Sequence, residues 1–77
     1  MASRNVVQVF PNLLGGWSVK RYGALRASRN FSTRNEAIGW GRDLSRKRRS
    51  DLYIHANTGA VEQMISYRSQ DEIHPSP

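Results

Sequence analysis

The chain has no cysteine, only six acidic residues against twelve Lys and Arg, and no apolar run that approaches a membrane span. Each shortage excludes something. Without thiols there is no disulfide framework and no thiolate metal site, which removes the small secreted disulfide scaffolds. Without about 18 consecutive apolar residues no stretch reads as a transmembrane helix. The opening MASRNVVQVF lacks the basic-then-apolar organisation of a signal peptide. The expectation is a soluble, cytoplasmic protein that does not contact a membrane. Acid–base chemistry is also thinly supplied. His55 and His74 are the only histidines, and Asp43, Asp51 and Glu62 have neither metal-ligand nor paired-carboxylate spacing. Scattered Ser, His and Asp without geometry make no triad. The composition predicts a protein that is not an enzyme, with no metal and no cofactor.

Positive charge is what the chain has in excess. A net charge of +6 over 77 residues, with a pI near 10.8, sets up a field that attracts polyanions before any contact forms. Nucleic acid is therefore the first partner to consider, with an acidic protein surface second. Seventy-seven residues make one small domain, which buries only roughly 60–65% of the surface its unfolded chain exposes. Such a core must be efficient, or a second copy must complete it as a homodimer.

The elements follow from local patterns. NVVQVF, residues 5–10, is β-branched and aromatic and is stopped by Pro11-Asn12. After Gly15-Gly16, WSVKRY alternates Trp17, Val19 and Arg21 against Ser18, Lys20 and Tyr22, so residues 5–22 predict a β-hairpin. Leu13 and Leu14 are unexpected in its loop. Residues 23–32 show no clean period and predict a connection with at most a short extended piece. Thr33-Arg34-Asn35-Glu36 matches a capping box, and a helix from about Arg34 to about Lys47 follows. At 100° per residue Ala37, Trp40, Gly41 and Leu44 share a stripe widened by Ile38 and Ser45, while Asn35, Arg42, Arg46 and Arg49 lie opposite. Gly41 on the inner stripe predicts close approach of helix to sheet. LYIH, ANTG and AVEQMISY then predict a second hairpin around Asn57-Thr58-Gly59. The expected fold is α+β: a two-layer ββαββ domain over residues 1–67, one helix packed on a mostly antiparallel four-stranded sheet. Residues 68–77 are expected to form a polar, mobile tail.

Several of these segments together resemble a known family. PN-LLGGWSVKRYGALRAS, F-STRNEAI, GR-L, LYIHANTGAV and the closing SY are similar to domain-of-unknown-function family 2188, a family of small bacterial proteins, over about residues 7–67. The most specific pieces are Gly16-Trp17-x-Val19-Lys20, Glu36-Ala37-Ile38 and Ile54-His55. The resemblance implies the architecture and a bacterial or phage origin; it implies no activity, cofactor or substrate. Here Arg68-Ser69-Gln70 follows the Ser-Tyr pair where the family commonly has an Asp-Pro-rich ending, and the helix end is more basic than is typical.

Three groups of residues are candidates for function. Arg42, Arg46, Lys47, Arg48 and Arg49 crowd the second half of the helix. They suit phosphate contacts that fix position without reading sequence, with Lys20 or Arg26 extending the patch. The competing view is a solvated helix end whose cations complement the macrodipole. Ser18, Lys20, Tyr22, Tyr53 and His55 would point away from the helix as a stacking platform for unpaired bases, or as ordinary strand residues, or as a dimer surface. Arg26 and Arg29 with Ser28, Ser32 and Thr33 could line an anion site at the helix start, against the simpler view of a capped helix with exposed arginines. His55 reads as a surface or structural strand residue rather than a general base. The leading expectation is a small nucleic-acid-binding protein. The rival is a protein-interaction module, such as a phage or bacterial regulator docking on an acidic partner through Leu14, Tyr22, Tyr53 and His55.

Overall fold

The computed structural model describes residues 5–68. The tail expected over residues 68–77, His74 included, lies outside that range save for Arg68. Six elements follow one another: β1 (Val6–Pro11), β2 (Trp17–Arg21), β3 (Arg29–Phe31), α1 (Arg34–Arg48), β4 (Asp51–His55) and β5 (Val61–Ser66). They form one sheet in the order β3-β2-β1-β4-β5 with the helix across one face. The α+β expectation holds, with two refinements. The sheet has five strands rather than four, because Arg29–Phe31 pairs with β2. It is also mixed, since β1 and β4 run parallel while every other pair is antiparallel.

The parallel pair follows from the length of the helix. Fifteen residues at 1.5 Å each span about 22 Å, one full traverse of the sheet. The helix starts beside the ends of β1 and β4, where Arg34 donates to the carbonyl of His55 at 3.4 Å. It ends beside the start of β1, where the Asn5 side chain reaches its last carbonyls. The chain therefore re-enters the sheet at the end where β1 began, and β4 must run the same way.

Thr33 caps the helix, its Oγ1 accepting from the Glu36 N–H at 3.2 Å. Below the helix lie Val7, Val9, Val19, Leu52 and Ile54, all essentially inaccessible. Register explains why these five meet. Val9 lies opposite Val19 on one side and Ile54 on the other, and Val7 lies beside Leu52. Gly41 makes the close approach possible: a Cβ there would stand 2.9 Å from Val9 Cγ2 and 3.3 Å from Leu52 Cδ1. Trp17, Phe31 and Trp40 close the β3 side of this core and Ile38 and Ile65 pack against its rim, with the Phe31 and Trp40 ring centroids 5.9 Å apart.

Candidate nucleic-acid interface

The basic end of α1 is held by the backbone. Arg49 adopts left-handed angles (φ 53°, ψ 53°) and turns its N–H back to the carbonyls of Arg46 and Ser45. This C-terminal cap is one that glycine usually supplies. Asn5 donates from Nδ2 to the carbonyls of Arg48 (2.9 Å) and Arg49 (3.2 Å), satisfying groups that a helix end leaves open. The Ser50 N–H bonds the Ser45 carbonyl at 3.0 Å and the Ser50 carbonyl accepts from Tyr67 at 3.1 Å. The end that carries the charge is thus tied to β1 and to the residue after β5.

From that anchored end the cations spread over two flanks. Arg42 and Arg46 form one row, and the Arg46 guanidinium lies 5.9 Å from the centroid of the Tyr67 ring, on the β5 side. Lys47 is seven residues on from Trp40, which packs on Phe31 of β3, so it falls on the β3 side. Arg48 is seven residues on from Gly41, in the row that faces the sheet, yet it is exposed. All five of Arg42, Arg46, Lys47, Arg48 and Arg49 are exposed. Arg46 pairs with Asp43 at 2.7 Å, whereas Arg42, Lys47 and Arg48 have no acidic partner among the described residues.

Arg26 joins this end and Lys20 does not. The chain between β2 and β3 turns at the end of the sheet where β1 begins and α1 finishes, which brings Arg26 there. Arg26 is accordingly at the opposite end of β3 from the helix start, so of the anion site expected from Arg26 and Arg29 with Ser28, Ser32 and Thr33, Arg26 is separated from Ser32 and Thr33. Arg21, opposite Val7 on the helix face, adds a cation that the candidate patch had omitted; its alternation with Trp17 and Val19 was the signal. Lys20 faces the other way, so its placement in the helix patch is corrected by register: it lies opposite Gln8 on the face without the helix. The Arg29 guanidinium lies over the rings of both Phe31 (5.5 Å) and Trp40 (6.0 Å).

The sheet face away from α1 gathers the second group. Lys20, Gln8, Tyr53 and Met64 form one row across β2, β1, β4 and β5, and Phe10 and His55 lie beside it with ring centroids 6.3 Å apart. Ser18 belongs to this face but is buried, because Asn12 Nδ2 donates to its Oγ at 2.8 Å and that hydroxyl donates to Asn30 Oδ1 at 2.6 Å. Tyr22 follows β2 at the far end and is more than half exposed. His55 Nδ1 donates to the Gly59 carbonyl at 2.9 Å, which fixes the tautomer and leaves Nε2 enclosed without a partner. This histidine staples the β4–β5 turn. At the opposite hairpin Asn12 Oδ1 accepts from the Leu14 N–H at 2.8 Å, so the tip displaying Leu13 and Leu14, 102% and 97% exposed, is a built turn. A depression of about 460 Å³ lies between the two turns, lined by Phe10, Pro11, Leu13, Lys20 and His55 among others.

Among the described residues no group of three or more His, Cys, Asp or Glu is placed to hold a metal ion, and no helix is long and apolar enough to cross a membrane. The chain belongs to domain-of-unknown-function family 2188, described as an uncharacterized protein conserved in bacteria, whose model matches residues 7–67. The resemblance drawn from the sequence motifs is the family that matches. No curated protein and no solved structure matches the chain.

Proposed function

We propose that this member of the family is a small non-enzymatic nucleic-acid-binding protein that holds phosphates with the basic end of α1. Arg42, Arg46, Lys47, Arg48 and Arg49 make the contact, and Arg21 and Arg26 extend it from the same end of the sheet. One observation carries the reading: five exposed cations sit on the last two turns of a helix whose end is anchored in place. The macrodipole is served by one or two cations at about 0.3–1 kcal/mol each; Arg42, Lys47 and Arg48, without an acidic partner among the described residues, exceed that need and suit an outside anion. The contacts position phosphates through Arg forks and a Lys point charge and do not read bases.

The test is a triple reversal, Arg42→Glu, Lys47→Glu and Arg48→Glu, with helix content checked by circular dichroism. Binding to labelled duplex DNA, single-stranded DNA and RNA should fall by about 100-fold or more at low salt, since the phosphate term supplies most of non-specific affinity. Lys20→Glu, on the opposite face, should change it by no more than about threefold. Equal binding by the triple variant and the parent would overturn the proposal.

A second reading, docking on an acidic protein as a phage or bacterial regulator, draws on the ordered Leu13-Leu14 tip. Under it, replacing both leucines by Ala abolishes partner binding and leaves nucleic-acid affinity where it was.

A further inference from the structure

The face of the sheet opposite α1 has no covering layer among the described residues, and it is chemically unlike the rest of the molecule. We propose that a second copy of the chain docks there, giving a two-fold dimer in which the sheets stack face to face and both helices point outward. Charge selects this occupant. Two chains of net charge +6 repel almost everywhere, but on this face Asp51 is paired with Arg68 at 3.5 Å. Lys20 is left as its one charge without an ion pair among the described residues. A polyanion or an acidic protein would find a single cation. The same neutral, aromatic and aliphatic patch on another copy fits, because an isologous interface must be complementary to itself.

The register says how the copies align. In β2-β1-β4-β5 the two central strands are parallel and each outer strand is antiparallel to its neighbour. A two-fold axis along the strands, midway between β1 and β4, therefore lays each strand over one of the same direction. That is the aligned arrangement of stacked sheets. It places Gln8 over Tyr53 of the other copy, and Lys20 over Met64 of the other copy, so the two lysines face aliphatic groups rather than each other. The same axis sets the β1–β2 turn of one copy above the β4–β5 turn of the other. Leu14, 97% exposed on an ordered tip, then meets the depression beside Phe10 and His55.

The size is adequate. The four overlapping strands, about 4.8 Å apart and about five residues long at 3.3 Å rise, give a footprint of roughly 320 Å². Side-chain relief and the flanking Leu13, Leu14 and Tyr22 carry the accessible area towards the roughly 800 Å² per partner of a stable interface. Burial would also take up Met64 and Tyr22, each more than half exposed.

Sedimentation of the full chain, free of nucleic acid, tests this. The expected mass at about 100 µM is twice 8.8 kDa, and raising the salt should preserve the dimer, because apolar burial is not screened. Substitution at Met64, on the exposed edge of the face, tests the alignment. Met64→Arg sets a cation against Lys20 and should weaken dimerisation by about 30-fold or more. Met64→Glu, facing the same lysine, should stay within about threefold or tighten it. Lys20→Glu should rescue Met64→Arg. A monomer at every concentration overturns the proposal. Equal loss with Arg and Glu, or no loss with either, overturns the Lys20–Met64 alignment and with it the proposed axis. The readout is mass alone, so failure of nucleic-acid binding would leave it intact.

Discussion

Alanine at position 41 adds a single methyl group at the point where α1 lies closest to the sheet. Its Cβ would be 2.9 Å from Val9 Cγ2 and 3.3 Å from Leu52 Cδ1, against the 3.5–4.0 Å at which carbon atoms pack favourably. Relief needs the helix to lift, or two inaccessible side chains to move, by about 0.5–1 Å. Overpacking of this kind costs about 1–3 kcal/mol, partly offset by the gain of about 1 kcal/mol that Ala brings over Gly in a helix interior. Gly39 isolates the two terms. It lies on the same helix, exposed, with nothing within 4 Å of a built Cβ, so Gly39→Ala collects the propensity gain alone. The two alanine variants should therefore differ by about 2 kcal/mol, or about 8–16 °C in melting temperature for a domain of this size. Thermal unfolding followed by far-ultraviolet circular dichroism and Trp fluorescence measures both. If Gly41→Ala melts with Gly39→Ala or above it, the helix is not seated on Val9 and Leu52 as described.

Three further substitutions have signs fixed by the structure. Ser45 is fully buried and its hydroxyl has no partner, so Ser45→Ala should raise stability by about 1 kcal/mol in urea unfolding; a loss would mean the hydroxyl is satisfied. Asn5→Ala removes the donor that serves the Arg48 and Arg49 carbonyls and should cost about 1 kcal/mol in the same assay, whereas no change would show the clamp is idle. Arg49→Gly relieves a left-handed backbone (φ 53°) and should stabilise by about 0.5–1 kcal/mol. It should also make the salt slope of nucleic-acid binding shallower by about 0.9, so stability and binding move in opposite directions.

What could be read from the sequence depended on how local the cause was. The helix was legible because Thr33 caps it, its inner stripe is continuous and Gly41 has one purpose. The β4–β5 hairpin was legible because Gly59 supplies the positive φ that its turn needs. Strand β3 was not: three residues show no period, Arg29 and Asn30 are exposed, and what makes them a strand is pairing with β2. The parallel pairing of β1 and β4 was hidden for the same reason, since it joins residues more than forty positions apart through the length of α1. Within the candidate site, the helix cations were found from charge alone. The anchors that hold them, Asn5 and the Arg49 backbone, carry no sequence signal that distinguishes them from other surface residues. Lys20 was open to two placements, as an extension of the helix patch and on the face away from the helix; the alternation of Trp17, Val19 and Arg21 already favours the second. Register with Gln8 holds it on the face without the helix, as the period implies and charge alone does not.

The salt dependence of binding tests the central claim most directly. Anisotropy of a labelled duplex, titrated with the full chain between 50 and 200 mM salt, gives the slope of log affinity against log salt. Five helix-end cations at about one phosphate each predict a slope near −4.5, a loss of roughly 500-fold across that range. A slope near zero, or no binding at the lowest salt, would contradict the account and leave the basic end of α1 without a nucleic-acid partner.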